Sequence, residues 1–172
     1  MTIIRAERPE DVAAIQVINE RAFGRREEGD IVDRLRESCP DFISLVAGPP
    51  DGGVVGAILF TPAVLESPDR RIDGMLLGPL AVLPERQRQG IGSALMRRGL
   101  DLLRERGCPF VVLVGHPEYY PRFGFERASA HGLVSPWDGV PDEAWMACIL
   151  DPAAMAGASG VTRVRDEWGA AL

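Results

Sequence analysis

The sequence predicts a single α+β domain in which helices flank a mixed sheet, and three observations predict this fold class. Its 172 residues are enough for one well-buried core and too few for two ordinary domains. Two apolar segments separated by the turn sequence GPPDGG predict an antiparallel hairpin. Further along, an apolar strand, an amphipathic helix and a second apolar strand follow one another. That order is typical of a βαβ unit, which makes its two strands parallel.

Two helices are predicted before the hairpin. Pro9 and the acidic residues after it are typical of a helix start, and apolar residues then recur at helical spacing as far as Phe23. Gly24 is placed to end this helix. After the charged sequence RREEGD, the residues from Ile31 to Leu35 predict a short second helix that ends near Pro40.

The hairpin follows directly. Residues 42–47 and 54–65 predict its two strands, with residues 48–53 as the turn between them. The polar residues 66–73 then predict an exposed loop.

The middle of the chain predicts the βαβ unit. Residues 75–83 form an apolar strand in which Gly78 and Pro79 should break the ladder or force a bulge. The amphipathic helix after it closes at Gly107. Residues 110–114 are too short and too β-branched for a helix, and too uniformly apolar for an exposed strand. They therefore predict a buried parallel strand.

The last third of the chain gives weaker patterns. GHPEYYPRFGF predicts a turn or a single helical turn that leads into a strand from Phe125, and residues 129–142 predict a loop. Residues 145–150 predict a last apolar strand, and residues 161–164 give only a weak strand pattern. No repeat or linker separates these segments. We expect one domain over residues 1–172, with a core of about 1–150 and a C-terminal extension of 151–172.

Charge and hydropathy exclude several classes of function. The formal net charge is −6, and the small arginine clusters lie in an acidic chain, so no nucleic-acid partner is expected. Those arginines could still bind a smaller polyanion. The longest apolar runs, such as residues 54–60, fall far below the roughly 20 residues of a membrane-spanning helix. No membrane association is predicted.

Cysteine usage and the first residues bear on the cellular compartment. Cys39, Cys108 and Cys148 are odd in number and widely spaced, which predicts buried or half-buried thiols rather than disulfides or a zinc site. We expect no metal. The sequence MTIIRAERPEDVAA lacks the apolar core and cleavage site of a secretory signal. A cytoplasmic location is therefore expected.

The sequence QRQGIGS lies where the central helix begins. Gly90 and Gly92 remove side chains where the backbone could approach a ligand, and the first turn of the helix offers N–H donors to an anion. A dinucleotide fingerprint would need a third glycine where Leu95 stands, and a P-loop would need Gly-Lys-Ser/Thr, which is absent. An anion site and a turn without a ligand both fit these glycines.

The longer sequence LAVLPERQRQGIGSAL resembles the signature motif of the GNAT superfamily of N-acetyltransferases, in which Q/R-x-x-G-x-G/A follows a strand. The resemblance implies a three-layer fold with a mostly antiparallel sheet and a splayed parallel strand pair. It also implies acetyl-CoA as the acetyl donor, with its pantetheine arm along the strand and its pyrophosphate in the loop. The cofactor-binding residues so implied are Leu80, Ala81, Val82, Gln87, Arg88, Gln89, Gly90, Ile91, Gly92 and Ser93.

A second match lies downstream. Tyr120, Gly124 and Phe125 match the family's Y-x-x-x-G-F, whose tyrosine is commonly the general acid that protonates the departing thiolate. A phenol with a reference pKa near ~10 stays protonated at neutral pH, so it can donate this proton. We expect catalysis at Tyr120 and packing or substrate contact at Tyr119. The sequence HPEYYPRFGF further resembles a bacterial branch of predicted N-acetyltransferases.

One family feature is missing. Many GNAT enzymes have N-x-x-A-x-x-x-Y, but Leu113 stands seven residues before the tyrosine, so the usual asparagine contact is unsupported. The implied reaction is direct attack by a primary amine on the acetyl carbonyl, with a backbone N–H near Val82 as donor to the oxyanion. The general base is open between His116, Glu118 and water.

The sequence says less about the pocket that binds the acceptor amine. Glu27 and Glu28 lie where the family often shapes the acceptor pocket, although a solvated run of charge is the alternative. The acidic chain hints at basic acceptors such as polyamines, aminoglycosides or peptide N-termini. The family often dimerises, so a homodimer is open, with residues 145–150 as a candidate contributor. The alternative function is a non-catalytic acyl-CoA sensor or interaction module.

Overall fold

The computed structural model describes residues 1–170, so the end of the expected extension, residues 171 and 172, lies outside the described residues. The helices are α1 (Val12–Phe23), α2 (Glu27–Ser38), α3 (Ile91–Glu105) and α4 (Pro152–Met155). The strands are β1 (Ile3–Ala6), β2 (Ile43–Gly48), β3 (Gly56–Ser67), β4 (Arg70–Val82), β5 (Phe110–Val114), β6 (Glu126–Arg127), β7 (Leu133–Val134), β8 (Trp145–Ile149) and β9 (Gly160–Val164).

Strand pairing confirms the predicted fold class, a mixed and mostly antiparallel sheet with flanking helices. β1 pairs with β2 and β2 with β3 in antiparallel register. β4 pairs with β5 in parallel, through Met75 with Val111 and Leu76 with Val112. β8 pairs antiparallel with both β5 and β6, and β9 pairs antiparallel with β3 and in parallel with β7. The predicted hairpin and the predicted parallel strand pair are both present.

The described chain divides into two compact units, and strands β3 and β4 contribute residues to both. The first unit contains Met1–Phe60 and Gly78–Asp101, and the second contains Thr61–Leu77 and Leu102–Gly169. The prediction of a single domain stays a prediction. No helix among the described residues is both long and apolar enough to cross a membrane.

In the first unit, α1 agrees with the sequence and α2 does not. α1 ends at Gly24, whose φ of +72° suits glycine and whose N–H donates to the Glu20 carbonyl. α2 begins at Glu27, inside the charged sequence RREEGD, so the prediction of a helix starting at Ile31 is wrong. Acidic residues in the first turn of α2 interact favourably with the positive end of the helix dipole. Because these residues are charged rather than apolar, the apolar periodicity of the sequence does not show where the helix begins.

A partly buried ion pair joins β1 to the segment just before α1. Arg5 donates from Nη1 and Nη2 to the Asp11 carboxylate at 2.6 and 3.0 Å, and the Arg8 N–H donates to the same carboxylate at 2.8 Å. The hydrogen bond from Arg5 holds the pKa of Asp11 below its usual range, although burial acts in the opposite direction. The entry into α1 is therefore fixed by a charged contact.

Helix α3 lies closely on β3 within the first unit. A Cβ added at Gly56 would meet side-chain atoms of Ile91 and Leu95 at 3.1 Å, and one added at Gly99 would lie 2.6 Å from the Phe60 ring. Ile91, Leu95 and Phe60 are all buried. The two glycines thus allow the start and the middle of α3 to approach the strand.

In the second unit, the predicted exposed loop over residues 66–73 is wrong. β3 continues to Ser67 and β4 begins at Arg70, which leaves a two-residue turn. Ile72 is buried while Arg71 and Asp73 are exposed, so this polar segment alternates as a half-buried strand does. In the first unit, β4 continues through Gly78 and Pro79, joined by a cis peptide bond, where the sequence predicts a break or a bulge.

The C-terminal third contains more structure than the sequence predicts. The predicted loop of residues 129–142 includes part of a 3₁₀ turn (Ala128–His131) and strand β7. β8 is not the last strand, because the weak pattern at residues 161–164 belongs to β9. β8 residues 145–148 are buried within their own chain.

Candidate active site

All ten predicted cofactor-binding residues lie on one continuous segment of the first unit. Leu80, Ala81 and Val82 end strand β4, and a 3₁₀ turn (Pro84–Arg86) follows. Gln87, Arg88, Gln89 and Gly90 lead from this turn into α3, whose first residues are Ile91, Gly92 and Ser93. The Leu83 N–H donates to the Val55 carbonyl at 2.9 Å, which anchors the segment where it leaves the strand.

The backbone of this turn has an unusual conformation. Among the described residues, Arg88 is the only non-glycine residue with a positive φ, +62°, and Gly90 follows two positions later with a φ of +82°. Left-handed residues placed among right-handed or extended ones turn successive N–H groups toward a common point, which makes an anion-binding concavity. A Cβ added at Gly90 would meet nothing within 4 Å, so the space beside its backbone is open.

The start of α3 adds donors to this concavity. The Ala94 N–H donates to the Gly90 carbonyl at 3.0 Å, which closes the first helical turn. The amides of Ile91, Gly92 and Ser93 precede this bond and have no partner within the helix ladder. Together with the positive end of the helix dipole, they form a region that favours a phosphate group.

Polar side chains in the turn hold its shape. Gln87 donates from its side-chain amide to the Val82 carbonyl at 3.0 Å, across the turn to the strand end. Gln89 donates to the Glu85 carbonyl at 3.3 Å and accepts from Arg86 at 3.2 Å. The glutamine of the signature motif therefore supports the backbone that would face the anion.

An exposed charged contact that the sequence analysis missed links this turn to α1. Arg21 donates from both terminal nitrogens to the Glu85 carboxylate at 2.9 and 2.8 Å, and this pairing holds the pKa of Glu85 below its usual range. The two residues lie 64 positions apart. No pattern among neighbouring residues of the sequence could have predicted this pair.

Tyr120 lies in the second unit, at the start of a 3₁₀ turn (Tyr120–Phe123). Gly124 ends this turn with a φ of +93°, which explains the spacing of the tyrosine and the glycine in Y-x-x-x-G-F. The Tyr120 ring contacts Tyr119 and Phe125 edge-on, at centroid distances of 5.0 and 5.9 Å. It also lies directly against Gly115, where an added Cβ would overlap its Cε2 atom.

This environment keeps the Tyr120 phenol neutral. Burial raises its pKa to about 12, and the neighbouring Tyr119 acts in the same direction. Within residues 1–170, no hydrogen-bond partner engages the Tyr120 hydroxyl. The Tyr120 phenol is therefore protonated at neutral pH, and the packing of its ring holds it in place.

Tyr119 is engaged by its own neighbours. Arg122 lies over the Tyr119 ring, with its Cζ atom 4.7 Å from the centroid, and donates to the Tyr119 carbonyl at 2.8 Å. Phe123 contacts the same ring at 5.4 Å. These contacts favour the packing role among the two that the sequence left open.

The candidate general bases differ in their contacts from the two glutamates that the sequence places near the acceptor pocket. His116 and Glu118 are exposed on the loop before Tyr120. Glu28 accepts from Arg25 at 2.6 Å, and Glu27 lies 4.0 Å from the same guanidinium. Among the described residues, no group of three or more His, Cys, Asp or Glu side chains could hold a metal ion.

Comparison with known proteins identifies the family. Residues 3–128 match the family model described as an acetyltransferase (GNAT) domain. The chain therefore belongs to the GNAT family of acetyltransferases, which confirms the resemblance in the sequence and makes the protein an acyltransferase.

Individual relatives agree with this assignment. The uncharacterized N-acetyltransferase YjhQ of Escherichia coli is 41% identical over 146 residues, covering 79% of this chain and 77% of YjhQ. A crystal structure of the E. coli GNAT enzyme YhbS in complex with CoA has a TM-score of 0.89 and 32% identity, covering 98% of this chain and 92% of YhbS. A Brucella melitensis GNAT acetyltransferase in complex with acetyl-CoA has a TM-score of 0.77 and 33% identity, covering 98% of both chains.

Proposed function

We propose that the protein transfers an acetyl group from acetyl-CoA to a primary amine by direct attack, without an acyl-enzyme intermediate. The observation that carries the proposal is the turn before α3, where Arg88 and Gly90 are both left-handed. Such a backbone presents N–H groups to a pyrophosphate. The CoA and acetyl-CoA complexes of the two structural relatives support the same donor.

In the proposal, the donor is held mainly by backbone groups. The N–H groups of residues 88–93 bind the pyrophosphate, and Leu80, Ala81 and Val82 pair with the pantetheine arm. Gln87 positions this loop through its hydrogen bond to the Val82 carbonyl. A backbone N–H near Val82 donates to the carbonyl oxygen as negative charge develops on it.

The proposed chemistry moves two protons. The neutral amine attacks the acetyl carbon, a new C–N bond forms, and the C–S bond to CoA breaks. Tyr120 then donates its phenolic proton to the departing thiolate, for which a neutral phenol is suited. The proton of the attacking amine leaves to His116, Glu118 or water, all of which stay open.

A panel of amines with acetyl-CoA tests this proposal. We expect release of free CoA thiol with at least one amine, and a loss of kcat of roughly 10²- to 10⁴-fold in Tyr120→Phe. The thermal midpoint should change little, because the phenylalanine ring keeps the contacts with Tyr119 and Phe125.

The same experiment tests the acceptor and the general acid separately. CoA binding without turnover on any amine would reject a primary amine as the acceptor. Thiol release that Tyr120→Phe leaves unchanged would reject Tyr120 as the general acid and keep the transfer reaction. The matched control is Tyr119→Phe, which removes a neighbouring hydroxyl and should keep kcat within about twofold.

Location and assembly are also proposals. The free thiols of Cys39, Cys108 and Cys148 suit a reducing compartment, so we keep the cytoplasm as the proposed location. A homodimer also stays a proposal. If one forms, residues 145–148 do not supply an exposed surface for it, because they are buried within the chain.

A further inference from the structure

The second unit contains a cavity of about 540 Å³ that no predicted active-site residue lines. Its apolar wall is formed by Leu133, Val134, Val140 and Trp145. Leu133 and Trp145 are buried, whereas Val134 is 54% exposed. A volume of this size lies in the range of small-molecule sites, roughly 300–1,000 Å³. The cavity is therefore large enough for a compact organic ligand.

An aromatic wall is fixed in place beside this cavity. The Trp145 indole N–H donates to the Leu133 carbonyl at 3.1 Å, which sets the orientation of the ring. Trp137 contacts Trp145 edge-on at 6.1 Å, and Ser135 holds Trp137 by two hydrogen bonds of 3.1 Å. An indole ring held in this way can pack against an apolar group, and its face attracts a cation.

The polar groups of the cavity favour a positive charge. Asp142 lines the cavity, and Asp138 and Glu143 are exposed on the same loop. Arg127 pairs with Asp142 at 3.2 Å, but the two side chains are 62% and 52% exposed. An ion pair so exposed is weak. Among the described residues that line the cavity, Asp142 is the only charged one, so the lining carries a negative charge.

The cavity lies on the opposite face of the sheet from Tyr120. Trp145 pairs directly with Val114 across the β5–β8 ladder, so these two side chains share a face. The next residue, Gly115, points to the other face, where an added Cβ would meet Tyr120 and Leu113. A ligand in the cavity would therefore not compete for the space beside the Tyr120 ring.

We propose that this cavity binds a small amine with an aromatic or branched apolar body, at a site separate from Tyr120. The apolar body packs on Trp145 and the valines, and the ammonium group lies toward Asp142. The site does not depend on the proposed acetyl transfer.

Titration of the full chain with 2-phenylethylamine, without acetyl-CoA, tests the proposal by calorimetry. We expect saturable binding that shifts the NMR signal of the Trp145 indole N–H. The neutral isostere 2-phenylethanol should bind at least threefold more weakly, and Asp142→Asn should weaken amine binding about threefold to fivefold. Asp138→Asn, on the same loop but outside the lining, should change it less than twofold.

A pair of valine variants separates this cavity from any other amine site. Val134→Arg places a bulky cation at the cavity wall and should weaken binding at least tenfold. The control Val17→Arg changes a valine of similar exposure, 50% against 54%, on helix α1. It should leave binding unchanged. Absence of saturable binding, equal binding in Val134→Arg and wild type, or equal binding of amine and alcohol would each overturn the proposal. Because acetyl-CoA is omitted, failure here leaves the proposed transfer reaction untouched.

Discussion

Replacing Gly90 by alanine separates the role of the turn before α3 in binding from its role in stability. Gly90 has a φ of +82° and open space around the added Cβ, so the folding cost is backbone strain alone, about 1 kcal/mol. For a chain of this length, that loss lowers the thermal midpoint by roughly 2–4 °C. Relaxation of the strained residue also turns one or two N–H donors away from the pyrophosphate. Each hydrogen bond to a charged group is worth about 1.5–3 kcal/mol, so CoA affinity should fall at least tenfold.

Gly107 provides the matched control at the other end of the same helix. It has a φ of +75°, and an added Cβ would likewise meet nothing within 4 Å. Helix α3 (Ile91–Glu105) lies between Gly90 and Gly107 in the chain. Gly107→Ala should lower the thermal midpoint by a similar amount and leave CoA affinity unchanged. Calorimetric titration with CoA and thermal unfolding of both variants give the comparison. An equal loss of affinity in both variants, or none in Gly90→Ala, would refute the assignment of this backbone to the pyrophosphate.

Three further predictions concern stability. Gly99→Ala should lower the unfolding free energy by about 1 kcal/mol, because its Cβ would lie 2.6 Å from the Phe60 ring; higher stability in denaturant unfolding would contradict this packing. Arg88→Gly should raise the unfolding free energy by about 1 kcal/mol by relieving a φ of +62°; unchanged or lower stability in the same assay would count against a strained turn. The lowered pKa of Asp11 adds stability above the usual carboxyl pKa near ~4, which is lost as the pH falls. Asp11→Asn, which lacks the charge that Arg5 binds, should therefore lose less stability between pH 6 and pH 3 than wild type, and thermal unfolding across this range would show equal losses if the reasoning is wrong.

The sequence correctly predicts those elements that are determined by residues close together in the chain. The end of α1 follows from Gly24, β5 follows from a short β-branched apolar run, and the turn before α3 follows from the spacing of its glycines. The start of α2 was missed because charge dominates its first turn, where acidic residues stabilise the helix. Residues 66–73 are mostly polar, so their composition predicts a loop, although part of this segment forms a half-buried strand.

What the sequence could not predict depends on contacts between distant residues. The Arg21–Glu85 pair joins residues 64 positions apart, and the support that Gln87 gives to Val82 depends on how the turn folds back. The left-handed φ of Arg88 carries no sequence marker, because arginine rarely adopts it. The glycines were visible in the sequence, whereas the shape that they and Arg88 give to the backbone was not.

Strand β9 has a consequence for how the protein is handled. It pairs with Ala63–Glu66 of β3, and Trp168 after it donates to the buried Thr61 hydroxyl at 3.1 Å. A chain shortened at residue 150 would keep the residues named in the proposed reaction and would uncover this length of β3. Uncovered strand edges pair readily with other chains. We therefore expect such a shortened chain to precipitate at concentrations where the full chain stays in solution.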